Sequence, residues 1–463
     1  MHRLRLLLAC CWLVAALAWP GNGWAEPAAL LQATSAPTSA RAARPFRAGF
    51  DDLALELGHF PGSAEQIDHQ VFGLARYGLV WDPGGSWSAR LGARLQLYYE
   101  YGDRRISDVD LRADESYLRY SRPERRITIG TQHIAWGRMD IESPMDQFTP
   151  QDLTRGLASA YDHQRLSVPA LRWEEYLGER KIDLVWLAVF TPTRLPEQQS
   201  LWYPINRRNG QVLGTDKDPQ LRTLLRFSTI GEYDGSRESG GGAIRYSQTG
   251  SALDWSVSLQ RVRTPRPYFE IDPRLQRLLP NRVNLFEILR ARTRRETFRA
   301  VHPWTTIIGG DLGGSMENAT WRLEAAWSSD IAMTTRDFRQ VTTAQWHWAA
   351  AWEYFPELAD LRVQVQLNAR HHQRRDVLEP RHQLQLLGDI DWYWDRQRWR
   401  GSLRYLAGVM VREWYLNPEL AYLGTTTGEW YLAGHWFSGG DQSLAGFYSD
   451  NDFVAIGWRR RLR

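Results

Sequence analysis

Apolar and polar side chains alternate along much of this chain with a period of two residues. Between residues 90 and 101, leucine, alanine and tyrosine occupy the odd positions, and mostly polar residues occupy the even ones. Residues 361–370 repeat the pattern, with leucine, valine and alanine alternating with arginine, glutamine and asparagine. Because successive side chains of a strand point to opposite faces, these segments predict strands with one apolar and one polar face.

The alternating segments are about ten residues long, which is the length that a tilted strand needs to cross a bilayer. Strands of soluble sandwiches are nearer to about five or six residues. Tryptophan occurs 23 times, often near segment ends, where membrane-interface girdles lie. The sequence therefore predicts an all-β fold, a transmembrane antiparallel β-barrel of about 18 strands, with 16 and 20 as alternatives.

Predicted strands lie near residues 50–60, 69–82, 86–101, 111–121, 125–136, 169–177, 180–191, 221–230, 240–249, 252–263, 304–315, 319–329, 341–354, 359–372, 382–394, 399–411, 414–423, 428–438 and 452–462. Counts from the two chain ends disagree by one strand within residues 192–253. Either a strand near 201–213 is missing from this list, or one listed strand in that region is surplus, since an even total is expected.

Short turns and long connections are predicted to alternate, with the long ones on the outer side. The outer loops are expected at 102–110, 137–168, 192–220 and 264–303, and they are expected to contain short helices. Helix starts are predicted at Thr149-Pro150 and Asp272-Pro273, because a proline fits the first helical position. Residues 283–298 also show a helical period, with several arginines.

The first residues predict export from the cytoplasm. Residues 1–25 have a basic start, an apolar run and small residues before a cleavage point, which is typical of a signal peptide. Residues 26–46 are rich in Ala, Thr, Ser and Pro and predict a flexible periplasmic lead-in, followed by the barrel at 47–463. Cys10 and Cys11 both lie in the leader, so disulfides and cysteine metal sites are excluded from the mature chain, and no cofactor is expected.

Arginines dominate the charged positions of the predicted inner face. The formal net charge is only +4, which provides no global field for nucleic acid. The arginines expected to line the lumen and set its selectivity are Arg90, Arg94, Arg222, Arg226, Arg322, Arg362, Arg370, Arg400 and Arg404. A guanidinium group keeps its charge at working pH, so such rows favour anions. The alternative hypothesis is that inward carboxylates neutralise the arginines. These carboxylates include Glu100, Glu324 and Asp389.

The stretch 125–153 runs from a strand into an acidic, proline-containing segment. Its expected constriction-loop residues, with one arginine just beyond the stretch, are Trp136, Asp140, Asp146, Asp152, Arg138 and Arg155. We expect the carboxylates to cap turns and to pair with arginines, and we predict no metal site, since their spacing matches no known metal-binding loop. No serine motif accompanies the histidines at 133, 163, 371 and 372, so no catalytic residues and no enzymatic activity are predicted.

The mature chain resembles the outer-membrane β-barrels of Gram-negative bacteria. More narrowly, the strand followed by Trp136-Gly137, Asp140, Asp146, Pro150 and Asp152-Leu153 resembles a group of porin-like barrels related to alginate-export channels. This resemblance implies a channel and names no substrate.

Two function classes remain open from the sequence. The first is an outer-membrane, porin-like channel for passage or export of small, anionic solutes or an anionic polymer. The second is a structural or secretion-partner barrel whose lumen holds another protein. The expected partners are outer-membrane lipid and lipopolysaccharide, the barrel-assembly machinery and a small anionic solute, with no nucleic acid.

Overall fold

The structure is a computed structural model of the chain. It describes residues 45–62, 67–217, 225, 229–231, 238–250, 252–278, 296–337, 339–357 and 360–461. The predicted signal peptide 1–25, nearly all of the lead-in 26–46, and Arg222 and Arg226 lie outside the described residues. Within the described ranges, no helix is both long and apolar enough to cross a membrane.

The fold is a closed barrel of 18 antiparallel strands, as the alternation predicts. The strands are β1 Phe46–His59, β2 Ile67–Trp81, β3 Trp87–Gly102, β4 Arg105–Ala113 with Ser116–Ser121, β5 Arg125–Gln132, β6 Val168–Leu177, β7 Arg180–Leu187, β8 Gly241–Gln248, β9 Asp254–Arg263, β10 Trp304–Met316, β11 Ala319–Thr334, β12 Gln340–Tyr354, β13 Leu361–His372, β14 His382–Trp394, β15 Trp399–Gly408, β16 Glu413–Thr425, β17 Gly428–Gly439 and β18 Phe453–Arg461. Pairing of β18 with β1, from Asp52 opposite Arg461 to His59 opposite Val454, closes the sheet.

The two faces of the barrel differ as the period of two requires. On β3, Leu91 is 65% exposed on the outer face, whereas Arg94 and Glu100 on the inner face are buried. Leucines and tryptophans are likewise exposed on the outer face of other strands, for example Trp348 and Leu367. An apolar outer face and a polar inner face suit a wall between lipid and water.

Connections of very different length leave the two ends of the barrel. Residues 133–167, 188–240 and 264–303 connect strands at one end, which we call the loop rim. Tight turns such as 178–179 and 317–318 connect strands at the opposite end, which we call the turn rim. The first strand, β1, begins at the turn rim, and the last strand, β18, ends there.

An apolar core lies inside the barrel, between its wall and the inward-folded connections. Trp202 from the connection 188–240 is 1% exposed, and its ring lies 5.4 Å from Tyr448 and 5.8 Å from Phe437. Phe72 and Leu74 of β2 belong to the same cluster. Part of the lumen is therefore filled by packed side chains, which fixes the long connections against the wall.

One predicted strand, near 221–230, is surplus. β7 pairs directly with β8, with Leu187 opposite Gly241, so no barrel strand lies between them. Leu225 is helical, and Ile230–Gly231 pairs outside the barrel with Phe298–Val301. The described residues of this segment therefore belong to a connection and not to the wall.

The predicted loop 102–110 is also wrong, because β4 begins at Arg105. Val109 and Leu111 are exposed on the outer face, and beyond Asp114 the phase reverses so that Leu118 faces outward. This phase change separates the two segments of β4, and the amide of Asp114 there donates to the carbonyl of Gly92.

The predicted helix starts have different outcomes. No helix begins at Pro150: residues 151 and 152 are extended, and the amide of Asp152 donates to the carbonyl of Gln164. Short helices follow instead at Gly156–Ala158 and Tyr161–Gln164. A helix does occupy Pro273–Leu278, and the predicted helix 283–298 lies almost wholly outside the described residues, except that Phe298 begins a short strand.

Candidate pore constriction

The connection 133–167 folds into the lumen, and two wall carboxylates hold its first turn. Glu324 of β11 accepts the backbone N–H groups of Arg138 and Met139, the latter at 2.9 Å, and the hydroxyl of Ser143 at 2.6 Å. Asp311 of β10 accepts the guanidinium of Arg138. These donors offset part of the cost of burying the carboxylate, because they replace its lost water.

The acidic side chains that follow contact the same side of the wall, on β11 and β13. Asp140 accepts from Arg322 at 2.6 Å and from Gln364 at 2.8 Å. Glu142 pairs with Arg370 and accepts the amide of Asn368 at 3.0 Å. The sequence predicted Asp140 at the constriction, but it gave no signal for the pairing of Glu142 with Arg370, which lies far along the chain.

The second half of this connection is attached to the wall near β1–β3. Asp152 accepts from Arg94 at 3.2 Å and from Arg194 at 3.0 Å. Burial raises the pKa of Asp152, but these two guanidinium groups outweigh it and keep the pKa below its usual value. Arg155 pairs with Glu56 and lies over the Phe72 ring at 4.6 Å.

Trp136 and Asp146 occupy different environments within the connection. Trp136 is 1% exposed; it packs edge-on against Phe148 and donates to Asp183 at 3.3 Å, so it anchors the connection and does not face the pore. Asp146 borders an inner cavity and accepts the hydroxyl of Thr149. Burial raises the pKa of Asp146 to about 6, although the Thr149 bond opposes the shift.

Most of the predicted lumen arginines have carboxylate partners. The pairs are Arg90 with Asp51 and Glu115, Arg94 with Asp152, Arg322 with Asp140 and Glu353, Arg362 with Glu353, Asp389 and Asp391, Arg370 with Glu142, and Arg400 with Glu419 and Glu429. The charge of these guanidinium groups is thus largely balanced within the wall and the connection.

Arg404 differs from the other predicted lumen arginines. Its guanidinium donates to the carbonyl of Ser159 at 2.9 Å, the hydroxyl of Tyr415 at 2.9 Å and the amide oxygen of Asn417 at 3.0 Å. It also lies 5.2 Å from the centre of the Tyr161 ring. All three acceptors are neutral, and among the described residues no carboxylate lies within ion-pair distance of Arg404.

Two cavities border the connection from opposite ends of the lumen. A cavity of about 880 Å³ extends towards the turn rim and is lined by Arg404, Arg400 and Arg459. A second cavity of about 440 Å³ lies among the connections of the loop rim. Ile141 and Tyr161 line both cavities, so these side chains mark the boundary between them.

Three residues of this region were not singled out from the sequence. Tyr161 and Ile141 lie at the boundary, and Arg266, from the connection 264–303, lines the 440 Å³ cavity. The alternation identifies inward positions on strands only, so residues carried into the lumen by connections give no comparable signal.

The fold has counterparts among solved structures. OccAB1 of Acinetobacter baumannii is similar with a TM-score of 0.52 and 7% identity, over 91% of this chain and 98% of that one. OccAB4 of the same organism has a TM-score of 0.45, 7% identity and coverage of 90% and 97%. The outer membrane channel DcaP of Acinetobacter baumannii has a TM-score of 0.41, 9% identity and coverage of 89% and 96%.

Comparison with protein-family models found no match, and comparison with curated proteins found none. At such low identity, the likeness to OccAB1 concerns the fold alone. The chain is therefore similar in architecture to this barrel of a Gram-negative bacterium, and the narrower resemblance to alginate-export-like barrels stays a prediction.

Proposed function

We propose that the chain is an outer-membrane, porin-like channel of a Gram-negative bacterium that favours small anions. The apolar outer face suits a bilayer, with lipid and lipopolysaccharide as its surroundings. Cavities on both sides of the inward connection suit a narrowed aqueous path. Packed side chains of the inward connections already occupy part of the lumen, which argues against the sheath alternative.

The observation that carries the anion preference is the environment of Arg404. Paired guanidinium groups contribute little net field, because a carboxylate of opposite charge lies beside each one. Arg404 has only neutral acceptors in the described chain and lines the larger cavity beside Tyr161. It therefore acts as a fixed positive charge next to the narrow part of the path. Passage along such a path needs no chemical step.

Reversal potentials of the purified protein in a planar bilayer under a KCl gradient test this proposal. We expect moderate chloride preference at low salt that decreases as salt rises, because charges are screened beyond about 8–10 Å at physiological ionic strength. Arg404→Gln should shift the reversal potential towards potassium. Arg398→Gln is the matched control, since Arg398 lies in an exposed turn beside Asp395. A native pore that prefers potassium would contradict the proposal.

A further inference from the structure

The 440 Å³ cavity on the loop side of the boundary has an unusual lining for a path through water. Its walls come from the connections 133–167, 188–240 and 264–303, from the segment between β17 and β18, and from β13–β16. The apolar side chains that line it include Ile141, Leu157, Leu213, Phe269, Leu406 and Leu444. Ions gain nothing from such a surface, whereas hydrocarbon does.

Several of these side chains are only partly buried by the protein itself. Leu157, Leu213 and Leu444 are intermediate in exposure, although they pack at the border of the internal core. They therefore present apolar area to whatever occupies the cavity. The volume falls within the range of small-molecule sites, which is about 300–1,000 Å³.

One fixed positive charge borders the same cavity. The guanidinium of Arg266 donates to the side-chain oxygen of Gln151 at 2.6 Å, and no described carboxylate lies within ion-pair distance of it. Arg266 is exposed, so its charge is accessible to a solute. An anionic group arriving at Arg266 would supply the missing counter-charge.

The carboxylates of this cavity are already engaged. Glu142 pairs with Arg370, which also lines the cavity. Glu413 accepts the amide of Gln385 at 2.7 Å and the backbone N–H of Ala445 at 3.1 Å. The cavity thus combines an apolar wall with one guanidinium that lacks an acidic partner and one carboxylate, Glu413, whose donors are neutral.

We propose that this cavity binds an amphipathic anion, a short hydrocarbon chain bearing one anionic group, with the chain against Leu157 and Leu213 and the charge at Arg266. The proposal rests on the anion channel proposed above and specifies its solute class. Arg404, beyond Tyr161, then receives the anionic group as the solute crosses the boundary.

Block of the KCl current by a series of sodium alkanoates, from acetate to octanoate, tests the proposal on the native protein. Each methylene added should tighten the apparent dissociation constant by about two- to fourfold until the cavity is filled, as expected for burial of hydrocarbon. Alkylammonium ions and neutral alkyl glucosides of equal chain length should block more weakly than the alkanoates.

Variants separate the two parts of the site. Leu157→Ser with Leu213→Ser should flatten the dependence on chain length, whereas Arg266→Gln should weaken every alkanoate by a similar factor. Val409→Ser, at an exposed position outside the cavity, should change neither. Heat-modifiable migration identifies correctly folded variants, and the native series decides the question even if the leucine variants fail to fold.

The outcomes distinguish this inference from the proposed function. An anion-selective pore whose block does not depend on chain length would overturn the amphipathic solute and leave the anion channel standing. Equal block by alkanoates and alkyl glucosides would overturn the role of Arg266. A cation-selective native pore would contradict the anion channel itself.

Discussion

The carboxylate of Glu324, on the barrel wall, accepts the backbone N–H of Met139, in the inward connection 133–167, at 2.9 Å. The same carboxylate accepts Ser143 at 2.6 Å and Met145 at 3.4 Å, so one wall residue holds both sides of a turn. The turn contains Asp140 and Ile141, and Ile141 lies at the boundary between the two cavities. The width of the boundary should therefore depend on Glu324.

Replacing Glu324 with glutamine is expected to loosen this turn. One oxygen becomes an N–H donor facing backbone donors, and leaving buried donors unpaired costs about 1–3 kcal/mol each. We expect higher and noisier single-channel conductance, measured in planar bilayers. Glu357→Gln is the control, because Glu357 bonds Asn318 at an exposed turn. Identical conductance in the folded Glu324→Gln variant would show that the turn is held without this carboxylate.

Much of the wall could be predicted from the sequence, because lipid and water impose the alternation directly. β3 and β13 follow the predicted pattern, and an even strand total is met once residues 221–230 are removed. The error at 102–110 arose because Asp103, Arg104 and Arg105 have the composition of a loop. Their tight turn could not be recognised without the pairing of β4 to β3.

The environment of the lumen arginines could not be predicted in the same way. The inward direction of Arg370 follows from its strand, but its carboxylate partner is Glu142, in a connection far away in sequence. Arg404 and Arg400 have the same local pattern, and only the folded chain shows that one lacks an acidic partner. The roles of these arginines in selectivity stay predictions until measured.

Trp202 is expected to stabilise the inward position of the connection 188–240. Its ring contacts Phe437 and Tyr448, and its indole N–H donates to the hydroxyl of Tyr98 at 2.9 Å. Truncation to alanine would leave a cavity and remove one donor to Tyr98, and Trp→Ala changes in cores cost about 3–5 kcal/mol. The midpoint temperature of heat-modifiable migration should therefore fall clearly in Trp202→Ala.

Trp392→Ala provides the comparison for this change. Trp392 has the same side chain but is 57% exposed on the outer face, so its loss opens no internal cavity. If both variants shifted the midpoint equally, the effect would come from the loss of any tryptophan and not from the internal core. Faster proteolysis within 188–240 in Trp202→Ala alone would locate the weakening.

Asp146 is expected to make the selectivity depend on pH. Burial raises its pKa to about 6, against an unperturbed value near 3.8. Because the folded protein holds this proton more tightly than the unfolded chain does, Asp146 favours folding at acid pH, and that contribution is lost as pH rises through about 6. Acidification from pH 7.5 to 5 should thus remove one negative charge beside the inner cavity without disrupting the connection.

The reversal potential under a KCl gradient should move towards chloride as pH falls through about 6. Thr149 bonds to Asp146, and the charges of Arg165, at 3.9 Å, and Glu324 also act on it. Glu379 lines the same cavity, and burial raises its pKa as well. Asp146→Asn isolates the contribution, since it should give the acid-pH selectivity at every pH and lack the step. If the reversal potential of Asp146→Asn shifted with pH as much as that of the native pore, the titrating group would be Glu379 or another residue. If the reversal potential of the native pore did not shift with pH, Asp146 would have no influence on the ion path.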